Sequence, residues 1–152
     1  MSDEVRIVIA DDHPLFRGGL RQVIEAERAF TVVGEASDGE AALQLISELV
    51  PDVAILDLNM PGLGGFEIIT EMRAQKVTSQ VVILTMHSEE AIFAKAMSLG
   101  VRGYVLKDSA AHEIVNCVGA ILRGQSFTSA GVTNYLFKRA GGDARAARRV
   151  RT

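Results

Sequence analysis

Five times along this chain a short apolar run rich in β-branched residues gives way to a longer segment of helical spacing, and that alternation leaves few folds open. The runs are Val5–Ala10, Phe30–Glu35, Val53–Asp57, Val81–Met86 and Gly103–Leu106. The first, third and fourth are almost unbroken Val, Ile and Leu, as strands covered on both faces should be. Phe16, Leu20, Val23 and Ile24 line one face of a helix that begins near Pro14. Ala42, Leu43 and Ile46 serve a second helix that opens after Ser37-Asp38-Gly39, and Phe66, Ile69 and Met72 serve a third. Ser88 is placed to cap a fourth, built on Ile92, Phe93, Ala96 and Met97 and ended by Gly100. Ser109 is placed to cap a fifth, with the stripe Ile114, Val115, Val118, Ile121 and Leu122 and with Gly124 beyond. The expected architecture is α/β: a doubly wound, five-stranded parallel sheet with helices on both faces.

Polar residues interrupt these runs at one kind of place. Asp11 and Asp12 follow the first strand, Asp57 closes the third, Thr85 closes the fourth and Lys107 follows the fifth. In a parallel sheet those ends share one edge, and open α/β sheets bind ligands there, where the strand order reverses. In the order 2-1-3-4-5 the first and third strands are neighbours, so Asp11, Asp12 and Asp57 converge. Carboxylates so placed repel one another unless a cation intervenes. A hard divalent ion such as Mg²⁺ suits one or two carboxylates plus waters and phosphate oxygens. With a lysine and a hydroxyl added, the set matches the needs of phosphoryl transfer to a carboxylate. Each residue also has a plainer use: Asp12 suits capping of the first helix, Thr85 suits a strand, and a single lysine is most often at the surface.

Composition narrows the setting. The chain has 152 residues, 48% of them apolar, enough for a core without disulfide or metal staples. One cysteine, Cys117, rules out a disulfide framework and reads as a small buried hydrophobe in the last helix. No apolar run approaches the roughly 20 residues that span a bilayer. The acidic start Met1-Ser2-Asp3-Glu4 lacks the segments of a signal peptide, so the expectation is a cytoplasmic protein away from membranes. The net charge of −3 is uneven: residues 138–152 hold six basic residues against Asp143 alone, which leaves an acidic body. Such a body favours divalent cations over non-specific nucleic-acid binding. The basic tail reads as a solvated linker. His13, His87 and His112 have no metal-ligand spacing to one another, and Pro61-Gly62 with Gly64-Gly65 makes a flexible turn beside Asp57 without a nucleotide P-loop pattern.

Four stretches carry a resemblance: Asp11-Asp12-His13-Pro14-Leu15-Phe16-Arg17, Leu56-Asp57-Leu58-Asn59-Met60-Pro61-Gly62, Leu84-Thr85-Met86-His87 and Gly103-Tyr104-Val105-Leu106-Lys107. Together they resemble the receiver domain of two-component response regulators, of the NarL/FixJ (LuxR-type) subfamily. The resemblance implies a flavodoxin-like strand order 2-1-3-4-5, with residues 1–125 as the receiver and 126–152 as a C-terminal extension or linker in which 128–139 reads as a short helix. It implies Asp57 as phosphoacceptor and Mg²⁺ held by Asp12, Asp57 and the backbone carbonyl of Asn59, with Asp11 acting indirectly. Thr85 would swing toward the phosphoryl group, Lys107 would pair with it, and Tyr104 would report the change by moving inward. Tyr104 also reads simply as half-buried core. The donor would be a phosphohistidine on a sensor histidine kinase. The chain would catalyse only its own phosphotransfer and slow autodephosphorylation, and homodimerisation on phosphorylation is an expected output.

Two residues depart from the pattern. Asp108 follows Lys107 where many receivers have a proline in a cis bond, so the loop need not keep that shape. Met86 follows Thr85 where many have a small residue; a long side chain there would narrow access to the phosphoryl group and slow its hydrolysis. Regulators of this type usually continue into a helix-turn-helix domain, which residues 126–152 are too few to form. The chain is thus expected to be a receiver cut from a longer transcription regulator that meets DNA through a domain absent here, or a stand-alone receiver that acts through protein partners. A haloacid dehalogenase-like aspartyl-phosphate phosphatase needs similar groups. It would carry a second Asp where this chain has Asn59, and its acidic pair would come late rather than first. A pseudo-receiver would have lost an acidic residue, the Thr or the Lys, and all are present.

Overall fold

A computed structural model describes residues 4–86 and 89–132. The elements alternate as β1 (Val5–Ala10), α1 (Pro14–Glu25), β2 (Phe30–Ala36), α2 (Gly39–Leu49), β3 (Val53–Asp57), α3 (Gly65–Ala74), β4 (Gln80–Thr85), α4 (Glu90–Ser98), β5 (Gly103–Leu106), α5 (Ala110–Leu122) and β6 (Phe127–Thr128). All strand pairs are parallel, and the sheet runs β2-β1-β3-β4-β5-β6.

The unbroken apolar runs follow from burial on both faces. Alternate residues of each strand point to opposite sides. Ile7, Ile9, Val53, Ile55, Val82, Leu84 and Val105 pack with Leu20 and Ile24 of α1 and with Ile114, Cys117, Val118 and Ile121 of α5. Val8, Ala10, Ala54, Leu56, Val81, Ile83 and Tyr104 pack with α2, α3 and α4 through Ala42, Ile46, Ile68, Ile69, Met72 and Ala96. The sheet therefore separates two apolar layers, and only its strand ends offer room for charge.

The ends of the helices follow local chemistry. Pro14 begins α1. The Asp38 carboxylate accepts from the Ala41 amide at 2.8 Å and caps α2. Gly100 and Gly124, both at φ 81°, reverse the chain after α4 and α5 as expected. The cap position of α4 is Glu89, one residue past the expected Ser88, which lies outside the described residues. His13, not Asp12, holds the cap position of α1, and it makes no side-chain cap bond.

Among the described residues the sheet has six strands rather than five. After Gly124 turns the chain, Phe127 and Thr128 pair in register with Gly103 and Tyr104 of β5. A two-residue strand has no periodicity to read. The helix expected over 128–139 thus starts inside a strand; a helical turn begins at Ala130, and 133–139 lie outside the described residues. Among the described residues, no helix is long and apolar enough to cross a membrane.

Candidate functional site

Asp11 stands where β1 ends, and several bonds fix it. Its amide donates to the Ala36 carbonyl of β2 at 3.0 Å. Its carbonyl accepts from Arg17 Nη1 at 2.5 Å, while Arg17 Nε is held by Glu35 Oε1 at 2.9 Å. The Asp11 carboxylate, fully buried, accepts the His13 amide at 2.7 Å. Asp57 ends the neighbouring β3, and the Asn59 amide donates to its Oδ1 at 3.0 Å, folding the following loop back on the carboxylate. Gly65 opens α3 beneath that loop. A Cβ there would lie 3.1 Å from the Asp57 carbonyl oxygen, so the glycine lets the helix start close behind the acid.

Lys107, one residue past β5, reaches across to both. Its Nζ is 2.9 Å from Asp57 Oδ2 and 2.8 Å from Asp11 Oδ2. It also lies 3.2 Å from His13 Nδ1 and 5.1 Å from the Phe16 ring centroid. Its side chain is only 9% exposed. Burial works to lower the Lys107 ammonium, but the carboxylates of Asp11 and Asp57 outweigh it and hold the pKa above the usual lysine value. For Asp57 the balance goes the other way. Burial raises its pKa and outweighs the Asn59 amide and Lys107, with the charge of Asp11 adding to the rise.

The cluster is larger than the sequence suggested. One ligand atom from each of Asp11, Asp12, His13 and Asp57 lies within 4.8 Å of the others. His13 Nδ1 sits 3.0 Å from Asp12 Oδ1. The signal for it in the sequence is its adjacency to the acidic pair; as expected from their spacing, it is not grouped with another histidine among the described residues. Asp11 Oδ2 and Asp12 Oδ1 are buried, and beyond the close approaches of Lys107 Nζ and His13 Nδ1 no donor is directed at them. Buried carboxylate oxygens with unused lone pairs suit a hard divalent cation, so the residues present fit Mg²⁺.

Thr85 closes β4 and is fully buried, as is Tyr104 on β5. Their hydroxyls share a hydrogen bond, and burial pushes the Tyr104 phenol up to about 12. The Tyr104 ring meets Phe93 of α4 edge-on, with centroids 5.3 Å apart. Tyr104 thus occupies the inward position and is wholly, not half, buried. The Lys107–Asp108 bond is trans, and Lys107–Ser109 form a single 3₁₀ turn into α5. Met86 is 62% exposed and Leu15 94%. With His13, Phe16, Lys107 and Asp108 they line an open hollow of about 480 Å³ at the mouth of the site.

Comparison with known proteins agrees with this geometry. The family model of the response regulator receiver domain matches residues 7–119. The "Probable transcriptional regulatory protein NarL" of Mycobacterium tuberculosis is 42% identical over 123 residues, covering 81% of this chain and 57% of its own length. The chain therefore spans little more than half of that relative. The solved receiver domain of M. tuberculosis NarL superposes with TM-score 0.76 at 42% identity, over 80% of this chain and 98% of that one. The isolated receiver domain of RcsB from Salmonella enterica serovar Typhimurium, solved with the phosphomimetic BeF3−, gives TM-score 0.80 at 30% identity, over 86% and 97%.

Proposed function

Because the chain belongs to the response regulator receiver-domain family, of the NarL/LuxR type, we propose that it is a phosphorylation switch whose acceptor is Asp57. The observation that carries the reading is the buried Asp57 carboxylate, held by Lys107 beside two further aspartates at one sheet edge. In the proposed step an Asp57 carboxylate oxygen attacks the phosphorus of a phosphohistidine on a sensor kinase. The P–N bond breaks, its electron pair stays on the imidazole, and an acyl phosphate forms on Asp57. Burial raises the basicity of that oxygen, which favours attack. Lys107 then transfers its pairing from the carboxylate to a phosphoryl oxygen, and the Thr85 hydroxyl donates to another. Asp12, Asp57 and the Asn59 carbonyl would hold Mg²⁺, with Asp11 and His13 alongside; when bound it supplies charge neutralisation for the phosphoryl oxygens.

The response runs outward from Thr85. If Thr85 turns to the phosphoryl group, its bond to Tyr104 changes, and the Tyr104–Phe93 contact passes the change to α4. Tyr104 is already inward, so the phosphoryl group would fix an arrangement that the unmodified chain reaches. The output we propose is transcription control, by homodimerisation and a DNA-binding domain outside this chain, in keeping with the longer regulators it matches. The setting is the cytoplasm, where a buried unpaired thiol such as Cys117 is at ease.

Incubation with Mg²⁺ and a small acyl-phosphate donor, read by intact mass, tests this directly. One phosphoryl adduct is expected on the wild type, and none on Asp57→Asn or after chelation of the metal. Continuous release of phosphate at enzymic rates without an adduct would instead favour a phosphatase.

A further inference from the structure

The turn that carries Lys107 lacks the proline that would stiffen it, and its peptide bonds are trans. A polar knot behind it does the holding. The Leu106 amide, next to Lys107 in the chain, donates to Ser129 Oγ at 2.9 Å. Ser129 Oγ in turn donates to Glu113 Oε1 at 2.6 Å, and the Ser129 amide donates to the Tyr104 carbonyl at 2.9 Å. Ser109 does not cap α5 with its side chain; its hydroxyl donates to the same Glu113 oxygen at 2.5 Å. The Ala130 amide completes the set on Glu113 Oε2 at 3.2 Å.

Each donor in this knot has an acceptor, and Ser129 is fully buried at its centre. Burial works to raise the Glu113 carboxyl, but the bonds from Ser109, Ser129 and Ala130 outweigh it and hold the pKa below the usual glutamate range. Packing closes over the same spot. A Cβ on Gly131 would lie 2.8 Å from Leu106 Cδ1, and Val132 is fully buried against the layer that contains Tyr104. Ser129 therefore grips Tyr104 and Leu106 at once, on the strand that delivers both Tyr104 and Lys107 to the site.

We propose that Glu113, Ser109 and Ser129 are positioning residues: they fix the β5–α5 turn so that Lys107 Nζ spans Asp11 and Asp57, and they tie that turn to the segment following β6. The functional half of this inference rests on the phosphorylation reading above; the structural half does not. Movement of Lys107 or Tyr104 must pull on Ser129, and the chain that continues past Val132 is the next thing attached to it.

The test uses the full chain with Ser129→Ala, Ser129→Thr and Ser109→Ala, each checked for folding by its thermal midpoint. Two quantities are read: amide hydrogen exchange at Leu106, and the rate of phosphoryl uptake from an acyl-phosphate donor at saturating Mg²⁺. In Ser129→Ala the Leu106 amide loses its acceptor, which should speed its exchange by about tenfold. Phosphoryl uptake should slow by a similar factor. Ser129→Thr, which keeps the hydroxyl, should recover part of both, and Ser109→Ala should show a smaller loss. Exchange at Ile55 and Val82, in the sheet interior, should stay unchanged. Wild-type exchange and uptake in folded Ser129→Ala would overturn the inference and leave the switch reading intact. Uniformly faster exchange across the sheet would overturn it too, since the knot would then serve only global stability. If the wild type takes up no phosphoryl group, the switch reading fails, and Leu106 exchange alone decides whether the knot fixes the turn.

Discussion

Asp57 is a carboxylate in the wrong solvent. Its hydrogen bond from Asn59 and its ion pair with Lys107 fall short of the cost of burial, so its pKa stands above the usual value. A carboxyl with a raised folded-state pKa binds its proton more tightly in the native chain than in the unfolded one. Above that pKa the ionised group lowers stability, and the loss is recovered as pH falls through it. Asp57→Asn should therefore raise the thermal midpoint of the metal-free protein at neutral pH. The advantage should shrink in acid; a lower midpoint at pH 7 would show that the Lys107 pair outweighs burial. Asp57, Thr85 and Lys107 were legible because each breaks or follows an apolar run at a strand end. The contact of His13 with Lys107 was not, because the two stand at the ends of different strands and only the folded sheet edge brings them together.

At the scale of elements, the period-two burial of the strands was readable, since continuous Val/Ile/Leu runs imply cover on both faces. β6 was not, because two residues carry no pattern and its partner is distant in sequence. The packing of α5 against β5 depends on a missing side chain. A Cβ on Gly103 would lie 2.8 Å from Cys117 Sγ and 2.9 Å from Val82 Cγ2. Gly103→Ala should cost about 1–3 kcal/mol by overpacking, measured by urea unfolding. Adding Cys117→Ala should restore part of that loss, because it removes one of the two clashing atoms. Equal stability of the single variant and the wild type would mean that the layer has slack there.

For the whole molecule, sequence pattern gave the strand–helix alternation, while the strand order came through resemblance, because nothing local in the runs says which strand sits beside which. The order matters: by placing β1 next to β3 it gathers Asp11, Asp12 and Asp57 into one cluster on a body with an acidic balance. A cation that binds only the folded form stabilises it, by about 2.7 kcal/mol at 100 times its Kd. Mg²⁺ should accordingly raise the thermal midpoint of the wild type, and much less that of Asp12→Asn; an equal rise in both would place the ion elsewhere. On the proposed function, the folded sheet edge serves to receive a phosphoryl group on one side chain, Asp57. The most direct measurement treats the phosphorylated chain with borohydride, which reduces an aspartyl phosphate to homoserine, and maps the peptides by mass. The account predicts homoserine at position 57 and nowhere else. Homoserine at position 11 or 12, or a phosphoryl group that resists reduction, would contradict it.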